Sequence, residues 1–266
     1  MSFSAIIPEP AQGVFAITLN RPAQRNAMSL AMVTELRAAL TMALEDQAIR
    51  IILLRGAGGN FCAGGDIADM AKARAQQPAK GRDPIAEMNE MFGHLCAAFA
   101  GSPKPVLAII EGAVIGGGFG LACVADIAIA HDSAKFRLSE TTLGLIPAQI
   151  APFLVARLGL STATRLALTA ASLTGAQAHE LGLVHDLAIS EKDLAEKQAA
   201  IIADLKKSPP GALAATKLLL RRAVHETAES LIPDAADLFA AAARGPEGAE
   251  GMAAFLQKRS PAWAES

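Results

Sequence analysis

The stretch EGAVIGGGFGLACVADIAIA, residues 111–130, constrains the fold most, because three consecutive glycines and a fourth at Gly120 interrupt an apolar run. It continues the segment PVLAIIEG (105–112), whose unbroken apolar character is typical of a strand covered on both faces. The first N–H groups of a helix have no partner inside it, and glycine lets another group approach the backbone closely. The stretch therefore predicts a strand, a bare turn and a helix whose first N–H groups remain accessible.

A second glycine-rich turn, FCAGGD (61–66), follows another apolar run, IRIILLRG (49–56). Two such turns placed side by side could direct two N–H donors at one oxygen and stabilise an oxyanion. Tight packing of strands against helices, with no ligand, would require the same glycines. The glycines by themselves leave both interpretations open.

The order of the elements predicts an α/β core followed by a helical C-terminal part. Apolar runs over 13–20, 49–56, 105–112 and 126–131 predict strands, and Ser29 can cap a helix that follows the first of them. After SPPG (208–211), residues 212–258 have the pattern of three helices. We expect a core over 1–195 and a helical subdomain over 196–266.

Composition and charge exclude several classes of protein. The net charge of −2, with both signs mixed along the chain, gives no basic surface for nucleic acid or anionic lipid. The uncharged run 112–125 is too short for a membrane span, which needs about 20 residues. Three scattered cysteines without a C-x-x-C pair, and no signal-peptide pattern, lead us to expect no metal site and a cytoplasmic location.

Common catalytic motifs are also missing from the sequence. It contains no G-x-x-x-x-G-K-[ST] phosphate loop, no G-x-G-x-x-G dinucleotide fingerprint, no G-x-S-x-G nucleophile turn and no H-E-x-x-H pair. We therefore expect no nucleotide cofactor, and neither a serine hydrolase of that type nor a zinc hydrolase.

Four segments carry a family resemblance: NRPAQRNAMS, NFCAGGDIADM, IEGAVIGGGFGLACVADIAIA and FRLSETTLGLIPAQIAPFLVARLG. Together with LTGAQAHELGLV and GMAAFLQKRSPAW, they follow the order and spacing of the enoyl-CoA hydratase/isomerase family, the crotonases, over almost the whole chain. The resemblance implies a crotonase (ClpP/crotonase-like) fold of repeated ββα units whose helical C-terminal subdomain forms a homotrimer or a dimer of trimers. It also implies an acyl-CoA thioester substrate and no separate cofactor, since coenzyme A is part of the substrate.

The resemblance also assigns site residues. Two backbone N–H groups hold the thioester oxygen in this family, and Ala63 and Gly117 match them. Hydratases of the best-known kind use two glutamates; this chain has Glu140 at one position and Gly120 at the other. Asp66 is expected to cap the helix after it rather than to act in catalysis. The positions that match contacts of the CoA moiety are Gln24, Arg25, Ala27, Gly64, Gly65, Asp66 and Ile67, with Phe255 and Lys258 reaching the CoA of a neighbouring subunit.

A single glutamate leaves three functions open. Glu140 could activate water in a hydratase, move a proton during double-bond migration in an isomerase, or belong to an acyl-CoA-binding protein without catalysis. For either reaction we expect apolar neighbours (Leu138, Leu143 and Leu145) to raise its pKa.

The flanking residues resemble the branch of the family that hydrates branched glutaconyl-CoA thioesters, isohexenylglutaconyl-CoA first and methylglutaconyl-CoA more distantly. Gly120 would then provide volume beside the β-carbon for the branch. Such a substrate carries a distal carboxylate, for which Arg137 is a candidate partner. Arg82 is another, in the polar stretch 71–84 that we expect to be a mobile surface segment.

Overall fold

A six-stranded sheet forms the centre of the molecule, for which a computed structural model describes residues 3–76, 78 and 81–264. Its order is β1–β2–β3–β4–β6–β9; β1 is antiparallel to β2 and the other neighbours are parallel. The strands are β1 Ile6–Ala11, β2 Val14–Leu19, β3 Ile51–Gly56, β4 Val106–Ile110, β6 Ile127–His131 and β9 Asp186–Ala188.

A second, three-stranded sheet has the order β5–β7–β8, with β5 parallel to β7 and β7 antiparallel to β8. These strands are β5 Ala113–Ile115, β7 Lys135–Arg137 and β8 Ser172–Thr174. Only two residues separate β4 from β5, and Gly112 there has a φ of +53°. The chain therefore passes from the large sheet to the small one just before the triple glycine.

Ten α-helices surround the two sheets in the described part of the chain. They are α1 Leu30–Glu45, α2 Ile67–Ala75, α3 Pro84–Gly101, α4 Gly117–Val124, α5 Ala151–Thr169, α6 Gly175–Glu180, α7 Glu191–Lys206, α8 Pro210–Arg222, α9 Ala228–Arg244 and α10 Pro246–Gln257. Short 3-10 helices cover Pro22–Gln24, Glu140–Leu143 and Ala262–Ala264. The expected α/β class with a helical C-terminal part is confirmed, including the three helices after SPPG.

The strands of the large sheet are covered on both faces, as their apolar runs predict. On β3, Ile52 and Leu54 belong to the large core beneath α1, α3 and α4. Leu53, between them, belongs to a smaller cluster with Leu107 that Leu194 of α7 completes on the other face. Side chains alternate between the faces of a strand, so a continuous apolar run serves both clusters.

The helix start that we expect at Ser29 is also confirmed. The Ser29 side chain accepts a hydrogen bond from the Met32 N–H at 3.2 Å and begins α1. Thr174 and Gln177 form a reciprocal capping box at the start of α6. These caps satisfy N–H groups that a helix start leaves without partners.

The helix α7 crosses the boundary that we expect near residue 195. Its Leu194, Ile201 and Ile202 all pack against the outer face of the large sheet. An ion pair joins the helix α8 to the core: Nζ of Lys217 lies 2.5 Å from Oδ2 of Asp126. The division of the chain at 195/196 stays a prediction.

The polar stretch 71–84 is only partly an irregular segment. Residues 71–75 form the last part of α2, and Pro84 begins α3. Residues 77, 79 and 80 lie outside the described residues. Residues 71–75 therefore belong to the helix that Asp66 caps, and the mobility that we expect of the stretch stays a prediction.

Both edges of the large sheet are poorly suited to further pairing. The edge strand β1 has the sequence IIPEPA, with Pro8 and Pro10 facing Ile17 and Phe15 of β2 in the ladder. Proline has no N–H to donate, so it is tolerated in an edge strand where that side of the backbone faces solvent. The opposite edge, β9, is only three residues long.

Candidate active site

The two glycine-rich turns lie next to each other. Residues 61–65 run between β5 on one side and the loop before α1 on the other. Isolated parallel bridges join Cys62 to Val114 and Met28 to Gly65. This pairing places FCAGGD beside the strand that leads into the triple glycine, so both turns border the same space.

Close approach of the backbones explains why these turns are made of glycine. A Cβ on Gly118 would lie 2.2 Å from the carbonyl oxygen of Cys62, and one on Gly64 would lie 3.0 Å from that of Ile115. Gly64 and Gly116 also have φ values of +98° and +52°, which favour glycine. The glycines therefore allow the two turns to pack closely against each other, and this packing is compatible with a ligand site at the same place.

Hydrogen bonding distinguishes the N–H groups that border this space. The N–H of Ala63 donates to the carbonyl oxygen of Arg25 at 3.0 Å, so it lacks the free hydrogen that an oxyanion donor requires. The N–H groups of Gly65 and Gly117 make no hydrogen bond with any residue that the structure describes.

The bridge to Met28 shows which way Gly65 is oriented. Met28 exchanges hydrogen bonds with the Gly64 carbonyl oxygen and the Asp66 N–H, at 2.7 and 3.0 Å. In a parallel ladder, the backbone groups of the bridged residue itself point to the opposite side. Gly65 therefore presents its N–H on the side of β5 and of Gly117, which follows β5.

Glu140 is the carboxylate beside these turns. It begins the 3-10 helix that follows β7, and its Oε1 lies 3.0 Å from the position of a Cβ on Gly116. Its Oε2 is buried and has no hydrogen-bond partner among the described residues. Burial raises the pKa of Glu140, opposed by a backbone hydrogen bond within the same residue. Of the expected apolar neighbours, Leu138 is buried, whereas Leu143 and Leu145 are exposed and do not account for the shift.

The space beside Gly120 is filled by protein. A Cβ on Gly120 would lie 2.2 Å from Cγ2 of Ile150, which is only 2% exposed. Cζ of Phe92 lies 3.7 Å from the same position and 3.3 Å from that of a Cβ on Gly117. The expectation that Gly120 leaves volume for a substrate branch is therefore wrong: the Ile150 side chain occupies that volume.

The loop before α1 carries Gln24, Arg25 and Ala27. Gln24 ends the 3-10 helix, and Arg25 follows it with a left-handed φ of +48° and an exposed side chain. The Arg25 carbonyl oxygen accepts the Ala63 N–H, and the Ala27 carbonyl oxygen accepts a hydrogen bond from the guanidinium of Arg21. The structure thus brings this loop and FCAGGD together, as a shared contact surface for one ligand would require.

Asp66 acts as the N-cap of α2, as we expect from the sequence. Its Oδ1 accepts hydrogen bonds from the N–H groups of Ala68 at 2.9 Å and Asp69 at 3.2 Å. Its Oδ2 lies 2.7 Å from Nη2 of Arg21. Burial would raise the pKa of Asp66, but the Arg21 guanidinium and the two N–H donors together lower it. The next residue, Ile67, is 76% exposed at the rim of the loop.

Arg137, Phe255 and Lys258 are not brought to the turns by their side chains. The Arg137 Nε donates to the carbonyl oxygen of Ala170 at 3.1 Å, after the end of α5, while only its backbone carbonyl oxygen contacts Gly116. Phe255 is 82% exposed on α10, and Lys258 caps the end of that helix. No hydrogen bond or ion pair in the described part of the chain joins Phe255 or Lys258 to the glycine turns.

Three residues of the site were not predicted from the sequence. Phe92 and Ile150 come from α3 and from the residue before α5, and each is far in sequence from the glycines it contacts. Arg21 is visible in NRPAQRNA, but its partner, Asp66, lies 45 residues further along the chain. Only the folded chain shows these pairings.

Among the residues described, no helix combines the length and hydropathy needed to cross a bilayer. In the same part of the chain, no three His, Cys, Asp or Glu side chains are grouped as ligands of a metal ion would be. The three cysteines are free and buried.

Comparison with known proteins identifies the family of this chain. Residues 9–266 match the model of the enoyl-CoA hydratase/isomerase family. The chain is 33% identical over 259 residues to the 2,3-dehydroadipyl-CoA hydratase of Escherichia coli K12, covering 97% of this chain and 98% of the relative.

Two solved structures are similar to it over nearly their whole length. An enoyl-CoA hydratase/isomerase from Marinobacter aquaeolei is 52% identical, with a TM-score of 0.94 over 98% of this chain and 99% of the other. AtuE from Pseudomonas aeruginosa is 50% identical, with a TM-score of 0.94 over 98% and 100%. The expected crotonase fold is confirmed, and the chain belongs to the enoyl-CoA hydratase/isomerase family.

Proposed function

We propose that this enzyme is a hydratase that adds water to the double bond of an enoyl-CoA with a second carboxylate, a branched glutaconyl-CoA such as isohexenylglutaconyl-CoA. The observation that carries the proposal is the buried, unpartnered Oε2 of Glu140 beside two unengaged N–H groups. An unpartnered carboxylate oxygen in a buried place is costly, so its presence is explained best by a substrate or water that binds it.

The oxyanion donors in this proposal are Gly65 and Gly117. Addition of water to the β-carbon moves electrons toward the thioester oxygen, which becomes an enolate oxygen in the transition state. Two fixed N–H donors that face one point stabilise that charge, and loss of one such donor typically costs about 3 kcal/mol of activation free energy. We assign the donor role to Gly65 rather than to Ala63 because the Ala63 N–H already donates to the carbonyl oxygen of Arg25.

Glu140 acts as both base and acid. As a carboxylate it removes a proton from the attacking water, whose oxygen bonds to the β-carbon. As a carboxylic acid it then returns a proton to the α-carbon, which consumes the enolate and regenerates the carboxylate. The pKa of Glu140 is raised by burial, which brings its protonated and ionised forms closer in free energy near neutral pH. One group can therefore perform both transfers.

The substrate class is supported by two likenesses. The E. coli relative is named for a thioester of a six-carbon dicarboxylic acid. The segments GGGFGLACVAD and SETTLGLIPAQIAPFLVARLGL resemble the branch that hydrates branched glutaconyl-CoA. We propose that CoA itself lies along Gln24, Arg25, Ala27 and the segment 64–67, which the structure brings together.

The test is mass spectrometry of products formed in ¹⁸O-labelled water from linear and branched enoyl- and glutaconyl-CoA thioesters. We expect the branched glutaconyl-CoA product to gain the mass of one labelled water. A product of unchanged mass with a relocated double bond would overturn the proposal. The variant Glu140→Gln serves as the control, since it keeps the shape of the side chain and removes its acid–base chemistry.

A second candidate is an enoyl-CoA isomerase, and the packing of Ile150 on Gly120 favours it. This contact leaves no room for a second acid at position 120, and double-bond migration needs only one group that moves a proton between the α- and γ-carbons. The same labelled-water experiment separates the two reactions. A binding protein without catalysis would instead retain its cellular role when Glu140 is changed to Gln.

We also propose that the chain assembles as a homotrimer, alone or as a dimer of trimers. Large apolar side chains are exposed before and along α5 and along the C-terminal helices, which is typical of a surface covered by another copy. They include Leu143, Ile146, Leu160, Leu168, Leu220, Ile232, Phe239, Phe255 and Leu256. Sedimentation analysis should give a multiple of three times the 27.4 kDa chain mass. A monomer at micromolar concentration would exclude the assembly and the contribution of Phe255 and Lys258 to a neighbouring site.

A further inference from the structure

A cavity that several polar side chains line lies between α3 and the start of α5. Its volume is about 470 Å³, and Arg82, Asn89, Glu90, His94, Gln149 and Phe153 are among its lining residues. Two pairs of consecutive residues connect the cavity with the site. Phe92 and Ile150 contact the glycines at 117 and 120, and the residues next to them in the chain, Gly93 and Gln149, line the cavity.

The amide groups in this cavity are held in a defined arrangement. Nε2 of Gln149 donates to Oδ1 of Asn89 at 2.8 Å. A Cβ on Gly93 would lie 2.1 Å from Oε1 of Gln149, so the absence of a side chain on α3 at that point makes room for the carboxamide. Two amides fixed against a helix offer further N–H donors to a bound group.

The cavity also contains a cation that the chemistry of Glu140 does not use. The Arg82 guanidinium pairs with Glu90, and Nε2 of His94 lies 3.7 Å from the other oxygen of the same carboxylate. A guanidinium has five N–H donors, so pairing through one nitrogen leaves donors for a second carboxylate. Arg137, in contrast, is held by the carbonyl oxygen of Ala170.

We propose that this cavity binds the distal carboxylate of the acyl chain, with Arg82 as its ion-pair partner and the amides of Asn89 and Gln149 as further donors. The inference rests on the proposed function and adds the residues that select a dicarboxylic substrate. The acyl chain runs along the side chains of Phe92 and Ile150, which guide it toward the cavity. Ile150 is also the residue that leaves no room for a side chain at position 120. Glu90 holds Arg82 in place and, by its charge, weakens the binding of the carboxylate.

The test compares 3-methylglutaconyl-CoA with its distal methyl ester, which has the same carbon skeleton and lacks the negative charge. Steady-state kinetics are measured for the wild-type enzyme, Arg82→Gln and Glu90→Gln. The matched control is Arg37→Gln, which removes an exposed arginine of α1. We expect Arg82→Gln to raise KM for the acid about tenfold, the effect of losing one charge-assisted hydrogen bond, with kcat and the KM for the ester nearly unchanged. Glu90→Gln should lower KM for the acid.

The outcomes separate this inference from the function on which it rests. If the wild-type enzyme prefers the acid and Arg82→Gln keeps that preference, the subsite is overturned and hydration stands. Equal kinetics of the wild-type enzyme with acid and ester would also overturn the subsite and leave hydration standing. If neither thioester reacts, and isohexenylglutaconyl-CoA does not react either, the proposed function fails. Calorimetry of both thioesters with wild type and Arg82→Gln then decides the subsite by itself, since selective loss of acid binding supports it and equal binding overturns it.

Discussion

Adding one methyl group at position 120 tests the packing that sets this site apart. In Gly120→Ala the new Cβ would lie 2.2 Å from Cγ2 of Ile150, whereas carbon atoms in contact are ordinarily about 3.5 to 4 Å apart. Ile150 is buried, so its side chain has to move by more than about 1 Å within a packed core.

The expected magnitude follows from two opposing effects. Overpacking of a core costs about 1–3 kcal/mol of unfolding free energy. Alanine in place of glycine inside α4 returns about 1 kcal/mol. Gly120→Ala should therefore destabilise the protein by up to about 2 kcal/mol, and Ile150→Ala, which leaves a cavity, by about 3 kcal/mol. In the double variant the methyl at 120 enters that cavity, so the loss should be smaller than the sum by about 1–2 kcal/mol.

Urea unfolding followed by far-ultraviolet circular dichroism measures all four proteins of this cycle. The protein concentration must be the same throughout, because the proposed homotrimer would make the apparent stability depend on it. The reasoning would be refuted by single and double variants whose losses add to within about 0.5 kcal/mol, since independent sites behave in that way.

Three further predictions concern charged groups. Glu140→Gln should reduce turnover at least about 100-fold while the fold is kept. Because burial raises the pKa of Glu140 in the folded protein, the wild type should lose stability relative to this variant as pH rises above about 4.5. Urea midpoints measured across pH can check this. Asp66→Ala should lower the unfolding free energy by about 2 kcal/mol at pH 7. Because the pKa of Asp66 is lowered in the folded protein, this difference should shrink as pH falls below 3.8, and a difference that stays constant would contradict the reasoning. Lys217→Met should cost about 2 kcal/mol of unfolding free energy, because the part-buried Asp126 loses its ion-pair partner and keeps the hydrogen bond from the Val106 N–H. Lys207→Met, at an exposed pair, should cost less than about 1 kcal/mol, and equal thermal melting of both variants would argue against a special role for the part-buried pair.

Much of the fold could be predicted because its signals are local or periodic. Apolar runs identified the central strands, and Ser29 and Thr174 begin helices through contacts within three residues. The three-residue strands β5, β7 and β8 are too short to show a period. The edge strand β1 is hidden by its prolines, since proline in an apolar run argues against a strand unless that strand is at an edge.

The candidate site could be predicted in part. The triple glycine, the glutamate at 140 and the cap at Asp66 were visible as motifs. The free N–H in the first glycine-rich turn was not, because the pairing of Met28 with Gly65 decides which backbone groups are already bonded. The filling of the space at Gly120 by Ile150 depends on a contact between residues 30 positions apart, which no local pattern records.

The prolines of β1 have a consequence for how copies of this chain can join. Pro8 and Pro10 remove two donors from the outer edge of the sheet, and Glu9 between them is exposed. A strand from another molecule would find an incomplete ladder there and too short a one at β9. Continuous sheets across subunits, and the fibres that such pairing can seed, are disfavoured at both ends. Association is left to the apolar surfaces of the helices, where contact areas are finite and assemblies can close.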